Sequence, residues 1–169
     1  MILRILKHGE KILRQPCERV DYAAVRKDLP RLLRDMFQTM YSVRGVGLAA
    51  NQVGLSLRLS VIDVRPEGRA QRLVLINPEI TAKSGKIVRE EGCLSLPGVY
   101  AEVERWAKVT IKALDARGRP YEMTGEGMLG RAFQHELDHL NGKLFIDHLD
   151  FITKLKVMSV IKDVRKNWT

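Results

Sequence analysis

A chain of 169 residues, 45% of them hydrophobic, can bury one sizeable core and is too short for two domains of ordinary size, so one domain over 1–169 is expected. No apolar run reaches the roughly 18 to 20 residues of a membrane span, and Met1 to His8 is too short and charged for a secretory signal, which predicts a cytoplasmic protein without a membrane partner. The formal charge of +9 points to an acidic partner such as nucleic acid or a ribonucleoprotein surface. No zinc-finger spacing, RNA-binding aromatic signature or long basic run accompanies it, which argues against sequence-specific nucleic-acid reading.

From Leu29 to Tyr41 the apolar residues Leu29, Leu32, Leu33, Met36, Phe37 and Met40 recur at helical spacing. Asp28 is the expected N-cap, with Pro30 in the first turn, where a missing N–H does least harm. Two short segments rich in branched residues, 57–64 and 72–77, read as strands, Ser84-Gly85-Lys86 as a hairpin tip, and 107–114 as a strand closed by a turn at 115–118.

Helical spacing returns from Met128 to Leu140 and stops at Asn141-Gly142. A third helix, about 150–166, sets Phe151, Leu155, Met158 and Ile161 on one side and five lysines or arginines elsewhere. Strands linked by hairpins predict an α+β fold of antiparallel sheets packed around the second helix, with the third at the C-terminus.

That second helix carries the chemistry. In His135-Glu136-Leu137-Asp138-His139 two imidazoles four residues apart share one helix face and suit one ion, and Glu136 stands beside them to accept a proton from water. Asp138 either orients an imidazole or solvates the helix. A catalytic ion usually has a third protein ligand. The metzincin pattern fails to supply it, because Phe145 stands where a histidine is needed after Gly142. His148, Asp147 and Asp150 lie just past the helix stop; Cys93, in Glu91-Gly92-Cys93-Leu94-Ser95, is the better candidate, as a soft thiolate beside a glycine. Cys17, the other cysteine, reads as a small buried apolar residue.

The segment Gly45-Val46-Gly47-Leu48-Ala49-Ala50-Asn51-Gln52 superficially fits a dinucleotide fingerprint, but it follows a helix instead of a buried strand. It is either a tight packed turn, or a stretch offering backbone groups to an extended peptide, with the Gln52 amide available to an oxyanion.

Taken in order, residues 45–52, Glu91-Gly92-Cys93-Leu94-Ser95 and Gln134-His135-Glu136-Leu137-Asp138-His139 resemble the three motifs of the bacterial peptide deformylases, and the resemblance extends to about Asp150. It implies removal of the formyl group from the N-terminal formyl-methionine of nascent chains, releasing formate, with Fe²⁺ and with zinc or nickel also accommodated. Carried onto matching positions, Cys93, His135 and His139 would hold the metal and Glu136 would be the general acid/base as metal-bound water attacks the formyl carbon. Gln52 and the Leu94 N–H would stabilise the oxyanion, and Gly47 would lie against the substrate.

Met128 and Val46 belong either to a methionine pocket or to plain core. The cationic third helix resembles a C-terminal helix that docks on the ribosome in some members, and equally suits simple packing. A general metallopeptidase would share the ion and Glu136 but need an open cleft for internal peptide bonds. A non-catalytic ribosome- or RNA-associated protein would use the ion structurally, which the open fourth position and Glu136 weigh against.

Overall fold

The structure is a computed structural model that describes residues 1–65 and 68–168. Its strands are β1 (Gly47–Ala49), β2 (Leu59–Ile62), β3 (Leu73–Ser84), β4 (Ile87–Cys93), β5 (Leu96–Arg105), β6 (Lys108–Leu114) and β7 (Pro120–Glu126); its helices are α1 (Tyr22–Val25), α2 (Leu29–Ser42), α3 (Gly127–Leu140) and α4 (Phe151–Val164). All pairings between named strands are antiparallel, in a five-stranded sheet of order β1-β2-β3-β6-β7 and a separate β4-β5 pair.

Side-chain alternation explains why two helices share one sheet. Leu59, Val61 and Ile76 pack with Leu29, Leu33, Met36 and Met40 of α2, while Ile62, Leu75 and Ile111 pack with Ala132, Phe133 and Leu137 of α3. Successive strand residues point to opposite faces, so β2 is covered on both sides, and all four of its residues are buried. The helix carrying the two histidines thereby lies in the interior, as the α+β reading expects.

Several local expectations are corrected. Asp28 precedes α2 but makes no side-chain cap, because its backbone is already helical and continues the turn from α1; the capping side chain is Asp21, which accepts from the Ala23 N–H at 3.0 Å. The strand anticipated over 72–77 runs on to Ser84. Asn77-Pro78 looks like a stop, yet it is a bulge: Asn77 takes a left-handed φ of 52°, and its side chain bonds both the N–H and C=O of Val20. Ser84-Gly85-Lys86 is no hairpin tip. Its neighbours β3 and β4 belong to different sheets, and Gly85, with φ 63°, turns the chain from one to the other.

Of the expected side of the C-terminal helix only Ile161 is buried. Val157 and Ile161 pack against Val99 and Val103 of β5, while Phe151 and Leu155 are 75% and 56% exposed. Apolar residues occupy more than one side of α4, so periodicity admits two stripes, and β5 takes the one that joins Ile161 to Val157. Asp150 caps this helix, accepting from the Thr153 N–H at 3.0 Å, and Cys17 is buried as expected.

Candidate metal centre

Helix α3 brings His135, Glu136 and His139 together, and the end of β4 brings Cys93 to them. The β4-β5 register breaks between Gly92 and Cys93, a bulge that re-aims the cysteine as the chain turns through Leu94 and Ser95. The ligand atoms of Cys93, His135 and His139 all lie within 4.8 Å of one another, and Cys93 Sγ is 3.2 Å from His139 Nε2. Burial by itself would raise the Cys93 thiol, but the adjoining imidazoles, His139 foremost, outweigh it and hold the group well below its usual value.

One thiolate and two imidazoles form a donor set suited to zinc, iron or nickel. The interior fits such an ion, since Glu136 Oε2 is buried beside these ligands without a hydrogen-bond partner among the described residues. His148, Asp147 and Asp150 are elsewhere: His148 bonds Asp138 at 2.7 Å, and Asp147 pairs with Arg14 at 2.5 Å.

Behind His135 stands a chain of charges that the sequence reading missed. His135 Nδ1 faces Glu91 Oε2 at 3.2 Å, and Arg105 grips both oxygens of Glu91, Nε to Oε1 at 2.8 Å and a terminal nitrogen to Oε2 at 2.9 Å. The same guanidinium donates to Asp138 at 2.6 Å. Asp138 thus neither orients a metal-site imidazole directly nor solvates the helix; it anchors Arg105 and His148, and Glu91 is the carboxylate that fixes the His135 ring. Burial would raise Glu91, but the Arg105 hydrogen bonds, then His135, bring it down to about 2. One signal for Glu91 was present: it stands two residues before Cys93, so the cysteine brings a carboxylate with it to the edge of the site.

The glycine-rich segment forms β1 and the 3-10 turn Ala50–Val53. Gln52 Oε1 accepts from the Ala49 N–H at 2.9 Å, which aims Nε2 toward Ser95 Oγ at 3.1 Å and Cys93 Sγ at 3.7 Å. Asn51, also unanticipated, donates to the His139 carbonyl at 2.6 Å and ties this turn to α3. Leu94 lines the pocket, and its carbonyl accepts from Lys7 at 3.3 Å.

Gly47 has a stricter reason to be glycine. A Cβ there would collide with Glu136 Oε1, so the absent side chain is what lets β1 pass directly over the carboxylate. Gly47→Ala is therefore expected to displace Glu136 and lower kcat on the order of 10²-fold, with little change in thermal midpoint. A melting curve beside a turnover assay checks this, and full activity in a folded Gly47→Ala protein would sink it.

Glu136 is buried, and burial, partly opposed by His135 and His139, pushes its carboxyl up to about 7. It lines a pocket of about 610 Å³ together with Gly47, Cys93 and His135. Val46 and Met128 line it too and are 41% and 55% exposed, so they belong to the pocket wall and not to the core.

Two imidazoles, one buried and one half-buried, with a thiolate, beside a carboxyl able to exchange a proton near neutrality and open to a pocket, define the site of a metal-dependent hydrolase. Residues 2–155 match the family model described as polypeptide deformylase. The chain is 44% identical to the peptide deformylase of Elusimicrobium minutum (strain Pei191) over 99% of both chains. It is 50% identical to that of Aquifex aeolicus (strain VF5) over 88% of both. The crystal structure of a peptide deformylase from Legionella pneumophila superimposes with a TM-score of 0.91 at 45% identity, covering 98% of this chain and 96% of that one. The chain belongs to the polypeptide deformylase family.

Proposed function

We propose that the chain acts as one catalytic unit that hydrolyses the N-formyl group of formyl-methionyl nascent peptides, releasing formate and a free amine. The observation that carries this is Glu136, buried beside the Cys93, His135 and His139 cluster and open to the pocket. Those three residues would hold the metal, Fe²⁺ in the reading we favour with zinc or nickel as substitutes; when bound, it supplies Lewis-acid polarisation and lowers the pKa of water.

The remaining work falls to the protein. Glu136, poised at about 7, takes a proton from the attacking water and returns it to the nitrogen as the formyl C–N bond breaks. The Gln52 amide and the Leu94 N–H take the charge that develops on the formyl oxygen. Gly47, on the sheet-edge strand β1, leaves its backbone open to an extended peptide, and Val46 and Met128 offer apolar surface to the methionine side chain.

No helix of the described residues is long and apolar enough to cross a membrane. A cytoplasmic location, at the ribosome, follows from the substrate. The uncovered residues Phe151 and Leu155, with the exposed Lys156 and Lys162 on the same helix, would supply an apolar and basic surface for ribosome contact.

The test is formate release from a short formyl-Met peptide by anaerobically prepared protein, with an unformylated peptide and a chelator as controls. Rapid, chelator-sensitive release is expected. Cleavage of unformylated peptides instead would favour a general metallopeptidase. Cys93→Ser is expected to lose most bound metal, since a neutral hydroxyl is a far poorer ligand than a thiolate. Elemental analysis showing a full equivalent of metal in that variant would remove Cys93 from the ligand set.

A further inference from the structure

At the mouth of the pocket the chain leaves α2 through a Schellman turn: the Gly45 N–H reaches back to the Met40 carbonyl at 2.8 Å, and the Arg44 N–H to that of Tyr41 at 3.1 Å. The position of the second of these donors is the one glycine usually takes. Here it is Arg44, held at a left-handed φ of 55°. An L-residue in that conformation carries strain on the order of 1 kcal/mol. The next three residues, Gly45, Val46 and Gly47, form the pocket wall that ends over Glu136, and Arg44 itself lines the pocket.

The other charges lining the pocket are already engaged or stand opposite. Glu91 is gripped by Arg105, Lys7 rests on the Leu94 carbonyl, and Arg131 donates to the Glu90 carbonyl at 2.5 Å. Glu136 belongs to the reaction. Among the described residues, Arg44 and Glu90 remain as exposed charges without an ion pair, one beside β1 and the other on β4.

Arg44 also has cationic company. Tyr41, three residues earlier, carries Arg65 4.8 Å from its ring centre and Arg72 at 5.5 Å, and Arg72 Nε bonds the Tyr41 hydroxyl at 3.0 Å. The buried Asp63 offsets one charge of this group, accepting from Tyr41 at 2.6 Å with Arg65 3.5 Å away. Among the described residues this group sets two guanidiniums against one carboxylate, and the Asp63 N–H bonds the Val46 carbonyl at 2.9 Å, which ties it to the strand that follows Arg44.

We propose that Arg44 is a specificity-determining residue that makes this pocket prefer formyl-methionyl peptides bearing an acidic side chain at whichever of the second and third residues faces it. The proposal rests on the deformylase reading. An extended substrate along β1 directs successive side chains to alternate sides, so the residues just after methionine emerge where Arg44 and, across the mouth, Glu90 stand. Arg44 attracts a carboxylate and Glu90 works against it. Lys7 and Arg131, which line the same pocket and keep their charge on carbonyl partners, tip the balance toward acidic substrates.

The experiment compares kcat/KM for formyl-Met-Glu-Glu-Ser, formyl-Met-Ala-Ala-Ser and formyl-Met-Lys-Lys-Ser with the holoenzyme at low and high salt. An acidic-over-basic ratio of about fivefold is expected at low salt, the size of one exposed ion pair, falling toward one at high salt. Arg44→Gly, which suits the turn and keeps the fold, should bring the ratio near one; Arg44→Glu should invert it, and Glu90→Gln should raise it. Because each ratio is taken within one variant, a general loss of activity does not imitate the effect. A ratio near one in the unaltered protein, or one unmoved by Arg44→Gly, overturns the proposal while leaving the deformylase reading intact. Failure to release formate from any of the three peptides overturns that reading itself.

Discussion

Glu136→Gln is expected to lower kcat by about 10²- to 10⁴-fold, the range for loss of a positioned general acid/base, while metal content stays at that of the unaltered protein. The amide has the shape of the carboxyl group, so Gly47 still clears it and the pocket keeps its form. It cannot hold and release a proton near neutrality as Glu136 does at about 7. Oε2, buried without a partner among the described residues, also marks Glu136 as a poor structural element, since a buried polar atom left unbonded costs stability. Stability should therefore be equal to or above that of the unaltered protein. Formate release at matched metal loading, with a denaturation curve, checks both halves; turnover within tenfold of normal would refute the role given to Glu136.

Legibility in the sequence followed the range of the interaction. The pair His135 and His139 is a local pattern on one helix, and helical spacing alone put Leu137 and Leu140 inward and the imidazoles with them. Helix α2 was legible for the same reason, by its buried Leu29, Leu33, Met36 and Met40. Cys93 needed elimination of nearer ligands, because its place beside α3 depends on the β4-β5 turn and a bulge. The partnership of Glu91 with Arg105 spans 14 residues and crosses between paired strands, and that of Arg105 with Asp138 spans 33. Neither strand had been anticipated, so no register was available to bring those charges together. The stripe that α4 buries was likewise decided by β5 and not by its own periodicity.

Arg105→Leu is expected to destabilise the fold by about 3–5 kcal/mol, the cost of leaving a buried charge without its partner, and to weaken metal binding by about 10- to 100-fold. Arg105 is 4% exposed and holds Glu91 by two hydrogen bonds and Asp138 by a third. Removing it leaves two carboxylates facing an apolar side chain and frees Glu91 to let the His135 ring turn. The effect on acid stability has a definite sign. In the unaltered protein Glu91 titrates at about 2, below the ordinary 4.5, so the unfolded chain takes up the proton first as the pH falls. Its contribution, about 3 kcal/mol, is complete above pH 4.5 and is lost as the pH drops from 4.5 toward 2. Without Arg105 the burial penalty dominates and Glu91 titrates higher than in the unaltered protein, so the acid-unfolding midpoint should move to higher pH. Urea denaturation at several pH values, paired with metal titration, measures both consequences. An unshifted acid midpoint would mean that Arg105 does not hold Glu91 ionised, and unchanged metal affinity would mean that the Glu91 contact does not set the His135 ring.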